Sequence, residues 1–200
     1  MPWPLEGASA DKRADMLRSG YHAVGSMTIT RGGTTVKGWH MAGSNPADYE
    51  FDRTAETIDD NAVVRLRAVN DNAAGFGTMM QTIAPTRYLG TRVRLSGLLK
   101  GNDIDGWAGL WLRIDSQQQT APLAFDNMQD RSIQGSTGWS SESIVLDVDE
   151  HASAIAFGVL LQGTGSVDIA GLRFEEVGSD VPVTGTPQAT EPVNLDFSEQ

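Results

Sequence analysis

The chain has 200 residues, of which 40% are hydrophobic and 20% are charged, and these values are typical of a globular domain with a substantial core. It carries 15 Lys and Arg against 26 Asp and Glu, and the resulting net charge of −11 disfavours binding to the phosphate backbone of a nucleic acid. The absence of cysteine excludes disulfides, thiolate nucleophiles and cysteine-ligated zinc. The N-terminus lacks the apolar core of a signal peptide, and no apolar run approaches the ~20 residues that span a membrane. We therefore expect an acidic, cytoplasmic protein that contacts neither nucleic acid nor membrane.

Residues 1–25 are predicted to form an N-terminal extension with one short helix over residues 9–18. Ser9 is a good N-cap, Arg18 lies in the last turn, and Gly20 follows as a stop signal. A helix of ten residues is too short to be stable alone, so it must dock on another part of the molecule.

After Gly20 the apolar pattern changes from a helical period to a period of two, with turn sequences rich in Gly, Asn and Asp between the segments. The predicted strands are residues 26–31, 36–41, 49–53, 62–69, 76–83, 91–100, 107–115, 123–126, 142–148, 154–162 and 166–177. About eleven short strands without a long helix predict an all-β sandwich or barrel.

The strand over residues 107–115 has one apolar face and one unusual face. The unusual face carries Trp107, Gly109, Trp111 and Arg113. Trp111 and Arg113 can form an aromatic platform with a charged fork beside it, and the gap at Gly109 would let a ligand approach the backbone. Alternatively, both indoles pack under another element of the same chain, as buried Trp residues usually do.

Polar residues follow the next short strand. Asp126 and Asn127 come directly after an apolar segment, where their oxygens can hydrogen-bond a hydroxylated ligand or bind Ca²⁺. In the alternative interpretation they cap a turn through their own backbone. The sequence predicts no metal site and no cofactor.

Two late strands have diagnostic patterns. Residues 154–162 are apolar or small on both faces, which predicts a central strand that is covered on both sides. In residues 166–177 the apolar phase shifts by one at Ala170 and Gly171, which predicts a β-bulge there.

Residues 26–178 are thus expected to form the sandwich, and residues 179–200 a linker and a C-terminal strand. Val193, Leu195 and Phe197 alternate in this last segment. It can add to an edge of its own sheet, or to that of a second copy, which would give a homodimer through the C-terminal strand.

Several uncommon sequence words occur together in one order between residues 38 and 200. They are GWHMAGSNPADYEFDRT, FGTMMQTI, RVRLSGLLKGNDIDGWAGLWLRID, LAFDNMQDRSIQGSTGW, IAFGVLLQGTGSVDIAGLRFEEV and PVNLDF. This set resembles a bacterial jelly-roll domain family that is found alone or fused behind helix-turn-helix regulators. More loosely, it is similar to jelly-roll carbohydrate-binding modules. The resemblance implies an antiparallel two-sheet β-sandwich with a concave face that carries aromatic platforms.

The leading functional hypothesis is a module that binds a small molecule, either a carbohydrate or an amphipathic metabolite, on that concave face. The candidate ligand-binding residues are Trp107, Trp111, Arg113, Asp126, Asn127, Arg94, Gln81, Trp39, His40 and Tyr49. The alternative is a small cofactor-independent enzyme, a cyclase, lyase or hydrolase, that uses the same pocket. The sequence has no GxSxG or HExxH motif, so no catalytic residue is predicted. A third hypothesis is a role in assembly.

Overall fold

The computed structural model describes residues 36–185. The predicted helix over residues 9–18, the predicted strand over residues 26–31 and the C-terminal residues Val193, Leu195 and Phe197 lie outside the described residues. No helix between residues 36 and 185 has the length and apolar character needed to cross a bilayer.

The regular structure of residues 36–185 consists of eleven strands and two short 3₁₀ turns. The strands are β1 His40–Gly43, β2 Tyr49–Ile58, β3 Asn61–Ala68, β4 Phe76–Ile83, β5 Arg92–Asn102, β6 Ile104–Asp115, β7 Ala124–Asp126, β8 Ile133–Gly135, β9 Ser140–Asp147, β10 Ala154–Gln162 and β11 Ser166–Val177. The 3₁₀ turns are Pro46–Asp48 and Gln129–Arg131.

The strands form two antiparallel sheets. Sheet A has the order β1-β4-β10-β6-β7, with β8 also paired to β6, and sheet B has the order β2-β3-β11-β5-β9. The two sheets pack face to face as a jelly-roll β-sandwich, which confirms the predicted fold class.

The main core lies between the sheets and follows from strict alternation along the strands. Leu110, Leu112 and Ile114 of β6 point into it from sheet A, and Val93 and Leu95 of β5 point into it from sheet B. All five side chains are buried. Alternate residues of a strand point to the same face, so these apolar residues all reach the space between the sheets.

Two predictions about strand detail are confirmed. Strand β10 is central in sheet A, between β4 and β6, and it is buried on both faces. The pairing of β11 with β5 shifts register between Ala170 and Arg173, and Gly171 adopts a φ of +59° at the bulge.

The first described strand begins later than predicted. Residues 36–39 form a turn in which the backbone N–H of Trp39 donates to the carbonyl of Val36. Gly38 lies in this turn with a φ of +86°. Because a left-handed residue interrupts extended backbone, β1 begins at His40 rather than at residue 36.

Candidate functional site

The outer face of sheet A, which points away from the main core, carries a second set of packed apolar side chains. We call it the outer aromatic cluster. Its buried members are Phe76, Met80, Trp107, Trp111, Ala156 and Leu160, with Ala42 and Phe125 packed against them. Three neighbouring strands, β4, β10 and β6, contribute the buried members, so the cluster lies across the middle of the sheet.

The strand register brings the cluster together. Gly158 of β10 lies opposite Met80 on one side and Trp111 on the other. A Cβ on Gly158 would lie 2.2 Å from the carbonyl oxygen of Met79, which is far inside van der Waals contact. Glycine therefore allows β4 to approach β10 closely at the centre of this face.

Hydrogen bonds fix both indoles. Trp111 Nε1–H donates to Thr78 Oγ1 over 2.7 Å, and the Thr78 hydroxyl donates to the carbonyl of Val159 over 2.8 Å. Trp107 Nε1–H donates to Gln162 Oε1 over 2.8 Å. Trp111 exposes 3% of its surface and Trp107 exposes 8%, so these polar contacts satisfy donors that are largely removed from water.

A charged pair lies at one end of the cluster, further along β6. Arg113 donates from Nε and Nη2 to Oδ2 of Asp115, at 3.1 and 2.8 Å. The Arg113 side chain is 9% exposed, whereas that of Asp115 is 28% exposed. This end of the face can therefore present a polar contact next to the aromatic surface.

The predicted gap at Gly109 is filled by the chain itself. A Cβ on Gly109 would lie 3.1 Å from Met128 Cβ and 3.3 Å from the carbonyl oxygen of Asn127. The backbone of β6 is therefore covered at this point by the segment that follows β7. The idea that a ligand approaches the backbone there is wrong.

Asp126 lies at the end of β7, opposite Leu112, whose side chain points into the main core. Its carboxylate accepts hydrogen bonds from Arg131, from the Thr184 hydroxyl and from the backbone N–H of Met128. Burial raises the pKa of Asp126, but these hydrogen bonds together lower it by more than burial raises it. The net pKa therefore lies below the usual value for an aspartate. The structure thus uses Asp126 internally and directs it away from the outer aromatic cluster.

Asn127 follows in the same turn and is 5% exposed. Its Oδ1 accepts the backbone N–H of Gln129 over 3.2 Å. The turn-capping interpretation of Asp126 and Asn127 therefore describes their observed local geometry.

Three further predicted residues lie on the inner side of sheet A or in the main core. Tyr49 is buried, and its hydroxyl donates to the carbonyl of Gly75 and accepts the N–H of Gly163. Trp39 packs edge-on against Phe157 of the main core, with the ring centroids 5.9 Å apart. Gln81 lies opposite Phe157 and therefore shares that side of the sheet. Gln81 is kept from the outer aromatic cluster because its strand phase is opposite to that of Trp111. Trp39 packs on the main core instead, and Tyr49 lies on β2 of the other sheet.

The last two predicted residues, Arg94 and His40, lie apart from each other. Arg94 is on β5 of sheet B, where it pairs with Glu175 over 2.7 Å, so it lies on the other sheet. His40 begins β1 opposite Met80 and is exposed. It is therefore at the edge of the outer face, beside the cluster.

The sequence analysis did not include several members of the cluster. Phe76, Met80, Thr78, Leu160 and Gln162 all lie on this face. The one available signal was the two-sided apolar pattern of residues 154–162, since an outer side that is also apolar must be covered.

The outer face of sheet B is different in kind. It carries a row of ion pairs that cross neighbouring strands. These are Arg65–Asp168, Arg67–Glu50 and Arg94–Glu175, with Arg92–Asp147 at the edge strand. Sheet B thus has the charged outer face that is ordinary for a sandwich, whereas sheet A does not.

No family model matches the chain. In an alignment of length 172 that covers 82% of the chain, it is 40% identical to an uncharacterized HTH-type transcriptional regulator, YbfP, of Bacillus subtilis strain 168. It spans 58% of the length of that relative. The name of the relative leaves contact with nucleic acid open, against the expectation from net charge.

Solved structures with a similar fold have low sequence identity. The CBM22-1 xylan-binding domain from Paenibacillus barcinonensis Xyn10C has a TM-score of 0.53 at 13% identity, over 74% of this chain and 90% of that one. The CBM22-1-GH10 modules of Clostridium thermocellum Xyn10B, complexed with xylohexaose, have a TM-score of 0.52 at 13% identity, over 74% of this chain and 27% of that one. The enzymatically active domain of tailspike protein 4 from Bacteriophage CBA120 has a TM-score of 0.54 at 12% identity, over 70% of this chain and 20% of that one.

These comparisons confirm the resemblance inferred from the sequence in both of its parts. The chain is a jelly-roll β-sandwich that is related to part of a longer HTH-type regulator and shares its fold with carbohydrate-binding modules.

Proposed function

We propose that the chain is a small-ligand-binding jelly-roll module whose ligand contacts the outer aromatic cluster of sheet A. One observation carries the proposal: the outer face of sheet A is aromatic and apolar, while that of sheet B is charged. A sandwich needs only one apolar layer, between its sheets, and a second layer of buried aromatic side chains is the kind of apolar wall that lines small-molecule sites.

The polar groups of the face favour an amphipathic, largely apolar metabolite over an oligosaccharide. Recognition of a sugar requires several hydrogen-bonding groups that point at its hydroxyls. The Thr78 hydroxyl already contacts Trp111 and Val159, and the Gln162 side chain already contacts Trp107. The rest of the face consists mainly of aromatic and aliphatic side chains, with the Arg113 and Asp115 pair at one end. The jelly-roll relatives that bind xylan keep a carbohydrate as the second ligand class to test.

The burial of the cluster sets a condition on binding. Since Trp111 exposes 3% of its surface, a ligand can stack on the indole only after the atoms that cover it move aside. Binding that needs such an opening is expected to associate more slowly than binding to a preformed site, because the conformational change must accompany association.

The same burial favours a second candidate function, a cofactor-independent enzyme that shapes a flexible substrate. A covered aromatic surface excludes water and can hold a substrate in one reactive conformation. Asp115 accepts hydrogen bonds from Arg113 at one end of the cluster, and it would be the first acid or base to test.

The experiment is a thermal-shift screen with two classes of probe, followed by affinity measurements on variants. The sugar class contains xylohexaose and monosaccharides, and the amphipathic class contains cholate and 1-anilinonaphthalene-8-sulfonate. A probe at 100 times its Kd adds about 2.7 kcal/mol to the free energy of unfolding. Trp107→Phe and Trp111→Phe should each weaken the binding of an amphipathic probe at least about tenfold, since each removes aromatic contact area and the hydrogen bond that orients the ring.

Trp139→Phe is the matched control, because Trp139 lies outside the cluster. Equal affinity of the wild type and both cluster variants would contradict the proposal, as would the absence of a thermal shift with every probe. A shift with xylohexaose alone that both variants abolish would keep the site but replace the ligand class.

A further inference from the structure

Residues 178–185 follow β11 and connect the edges of the two sheets, and we call them the strap. Arg92 Nη1 donates to the carbonyls of Ser179 and Val181, over 2.9 and 2.6 Å. At the other end, a Cβ on Gly185 would lie 2.9 Å from the Leu146 side chain of β9 and 3.1 Å from the carbonyl oxygen of Phe125 in β7. The strap thus bridges sheet B and sheet A on their β9 and β7 side.

Thr184 makes the contacts that join the strap to both edges. Its N–H donates to the carbonyl of Val145 over 2.9 Å, and its hydroxyl accepts the N–H of Val145 over 2.9 Å. The same hydroxyl donates to Asp126 Oδ2 over 2.6 Å. Thr184 therefore forms hydrogen bonds with the backbone N–H and carbonyl of Val145 at the edge strand β9, and its hydroxyl also contacts the carboxylate at the end of β7.

The other oxygen of that carboxylate holds the turn that covers Gly109 of β6, and the Met128 side chain in this turn is buried in the main core. Asp126 Oδ1 accepts the N–H of Met128 over 2.9 Å. Met128 has a φ of +58°, a left-handed conformation that is unfavourable for an L-residue. Its Cβ lies against Gly109, which is midway between Trp107 and Trp111 on β6.

We propose that Asp126 is a positioning residue that couples the docking of the strap to the packing beside Trp107 and Trp111. Release of Thr184 removes one partner of the carboxylate and loosens its hold on Met128, which changes the surroundings of the indoles. By reciprocity, a change at Gly109 or Met128 weakens the docking of Thr184. The inference rests on the proposed function for the role of this face, but the coupling can be measured without a ligand.

The forward test uses ¹⁹F NMR of the protein labelled with 5-fluorotryptophan, in which Trp107→Phe and Trp111→Phe assign the resonances. Thr184→Val removes the hydroxyl and keeps the shape, and it should shift the Trp111 or Trp107 resonance. Thr137→Val is the matched control, because its hydroxyl also accepts a backbone N–H, that of Gly101, but does not contact Asp126. If Thr184→Val does not fold, Asp126→Asn provides the same measurement.

The reverse test measures amide hydrogen exchange. Gly109→Ala places a methyl group 3.1 Å from Met128 Cβ, which must move by a few tenths of an ångström. Exchange at Thr184 and Val145 should become about tenfold faster than in the wild type. Gly138→Ala is the control, because its added Cβ meets nothing within 4 Å.

Unchanged indole resonances in Thr184→Val, or unchanged exchange at Thr184 in Gly109→Ala, would overturn the coupling. Such a result would leave the proposed ligand site intact if Trp111→Phe still weakened probe binding. Conversely, if Trp111→Phe left probe binding unchanged while Thr184→Val still shifted an indole resonance, the ligand site would be wrong and the coupling would stand.

Discussion

At the scale of single residues, Thr78 is the polar centre of the outer aromatic cluster. Its hydroxyl is both the acceptor for Trp111 and a donor to Val159, and the side chain is 1% exposed. A buried donor that loses its partner keeps its full desolvation cost, so this hydroxyl contributes more than an average hydrogen bond.

Thr78→Val should therefore lower the free energy of unfolding by about 1–3 kcal/mol, because it leaves the indole N–H of Trp111 without an acceptor. Urea unfolding followed by circular dichroism measures this change. Thr82→Val is the control on the same strand and in the same phase, since Thr82 is exposed, and we expect a change within about 0.5 kcal/mol. Equal effects of the two substitutions would show that Trp111 does not depend on this contact.

Two buried carboxylates, Asp126 and Asp168, are expected to make the stability depend on pH in acid. Burial raises the pKa of Asp168, but hydrogen bonds from Arg65 and Asn102 lower it more, and the net pKa lies below the usual value, as it does for Asp126. A carboxylate whose pKa is lower in the folded state stabilises the protein above its unfolded pKa of about 3.9 and loses that contribution as pH falls through its folded pKa.

We expect the wild type to lose stability as pH falls below about 4, and Asp168→Asn to lose less over the same interval. Urea midpoints between pH 7 and pH 2 measure the two slopes. Asp71→Asn, at an exposed position, should follow the wild type. A wild-type profile that Asp168→Asn reproduces in full would remove Asp168 from this account.

At the scale of elements, the β-bulge in β11 follows from the residues of that strand alone. The shift of apolar phase at Ala170 and Gly171 predicted a bulge, and the bulge is there because Gly171 can adopt a φ of +59°. A Cβ at this position would meet only the Asn61 side chain, at an ordinary 3.5 Å. The need for glycine is therefore conformational and not steric.

Gly171→Ala is accordingly expected to cost about 1–2 kcal/mol of unfolding free energy, and Gly171→Asn less, since Asn tolerates the left-handed conformation better. Thermal and urea unfolding of both variants would measure this order. A larger loss in the Asn variant would indicate crowding at the bulge instead of backbone strain.

The sequence could predict those strands whose own residues carry a clear apolar pattern. Strands β4, β10 and β11 were predicted with their observed bounds because each has a clear alternating or two-sided apolar pattern. Strand β8 was not predicted, since three residues with a single buried side chain, Ile133, give no periodicity.

The candidate site depended on pairings between segments that are distant in the chain. Gly158 joins Met80 to Trp111 through strand register, and no local pattern specifies that register. Tyr49 was predicted to bind the ligand, yet it is buried, and its hydroxyl forms hydrogen bonds with Gly75 and Gly163, which lie far along the chain. Trp111 and Trp107 could be placed on one face from residues 107–115 alone.

At the scale of the whole molecule, the two sheets present unlike surfaces. The outer face of sheet B is a row of cross-strand ion pairs, and most of these are partly exposed and contribute little to stability individually. The outer face of sheet A is apolar and is held together by the indole hydrogen bonds of Trp107 and Trp111. This asymmetry is the basis for proposing the ligand site on sheet A.

This asymmetry predicts that a charge on sheet B does not matter for binding. Arg94→Gln should leave the affinity for an amphipathic probe within about twofold and the unfolding free energy within about 1 kcal/mol, because Arg94 contacts Glu175 on the other sheet. Fluorescence titration with 1-anilinonaphthalene-8-sulfonate measures the affinity. A loss of binding comparable to that of Trp111→Phe would require a ligand site on sheet B.

The central claim is that the ligand lies on the outer aromatic cluster, and a ¹⁹F NMR titration of the 5-fluorotryptophan-labelled protein tests it most directly. The titrant is the probe that gives the largest thermal shift. The account predicts saturable shifts of the Trp107 and Trp111 resonances, with that of Trp139 unchanged. Saturable binding that leaves both cluster resonances in place would contradict it.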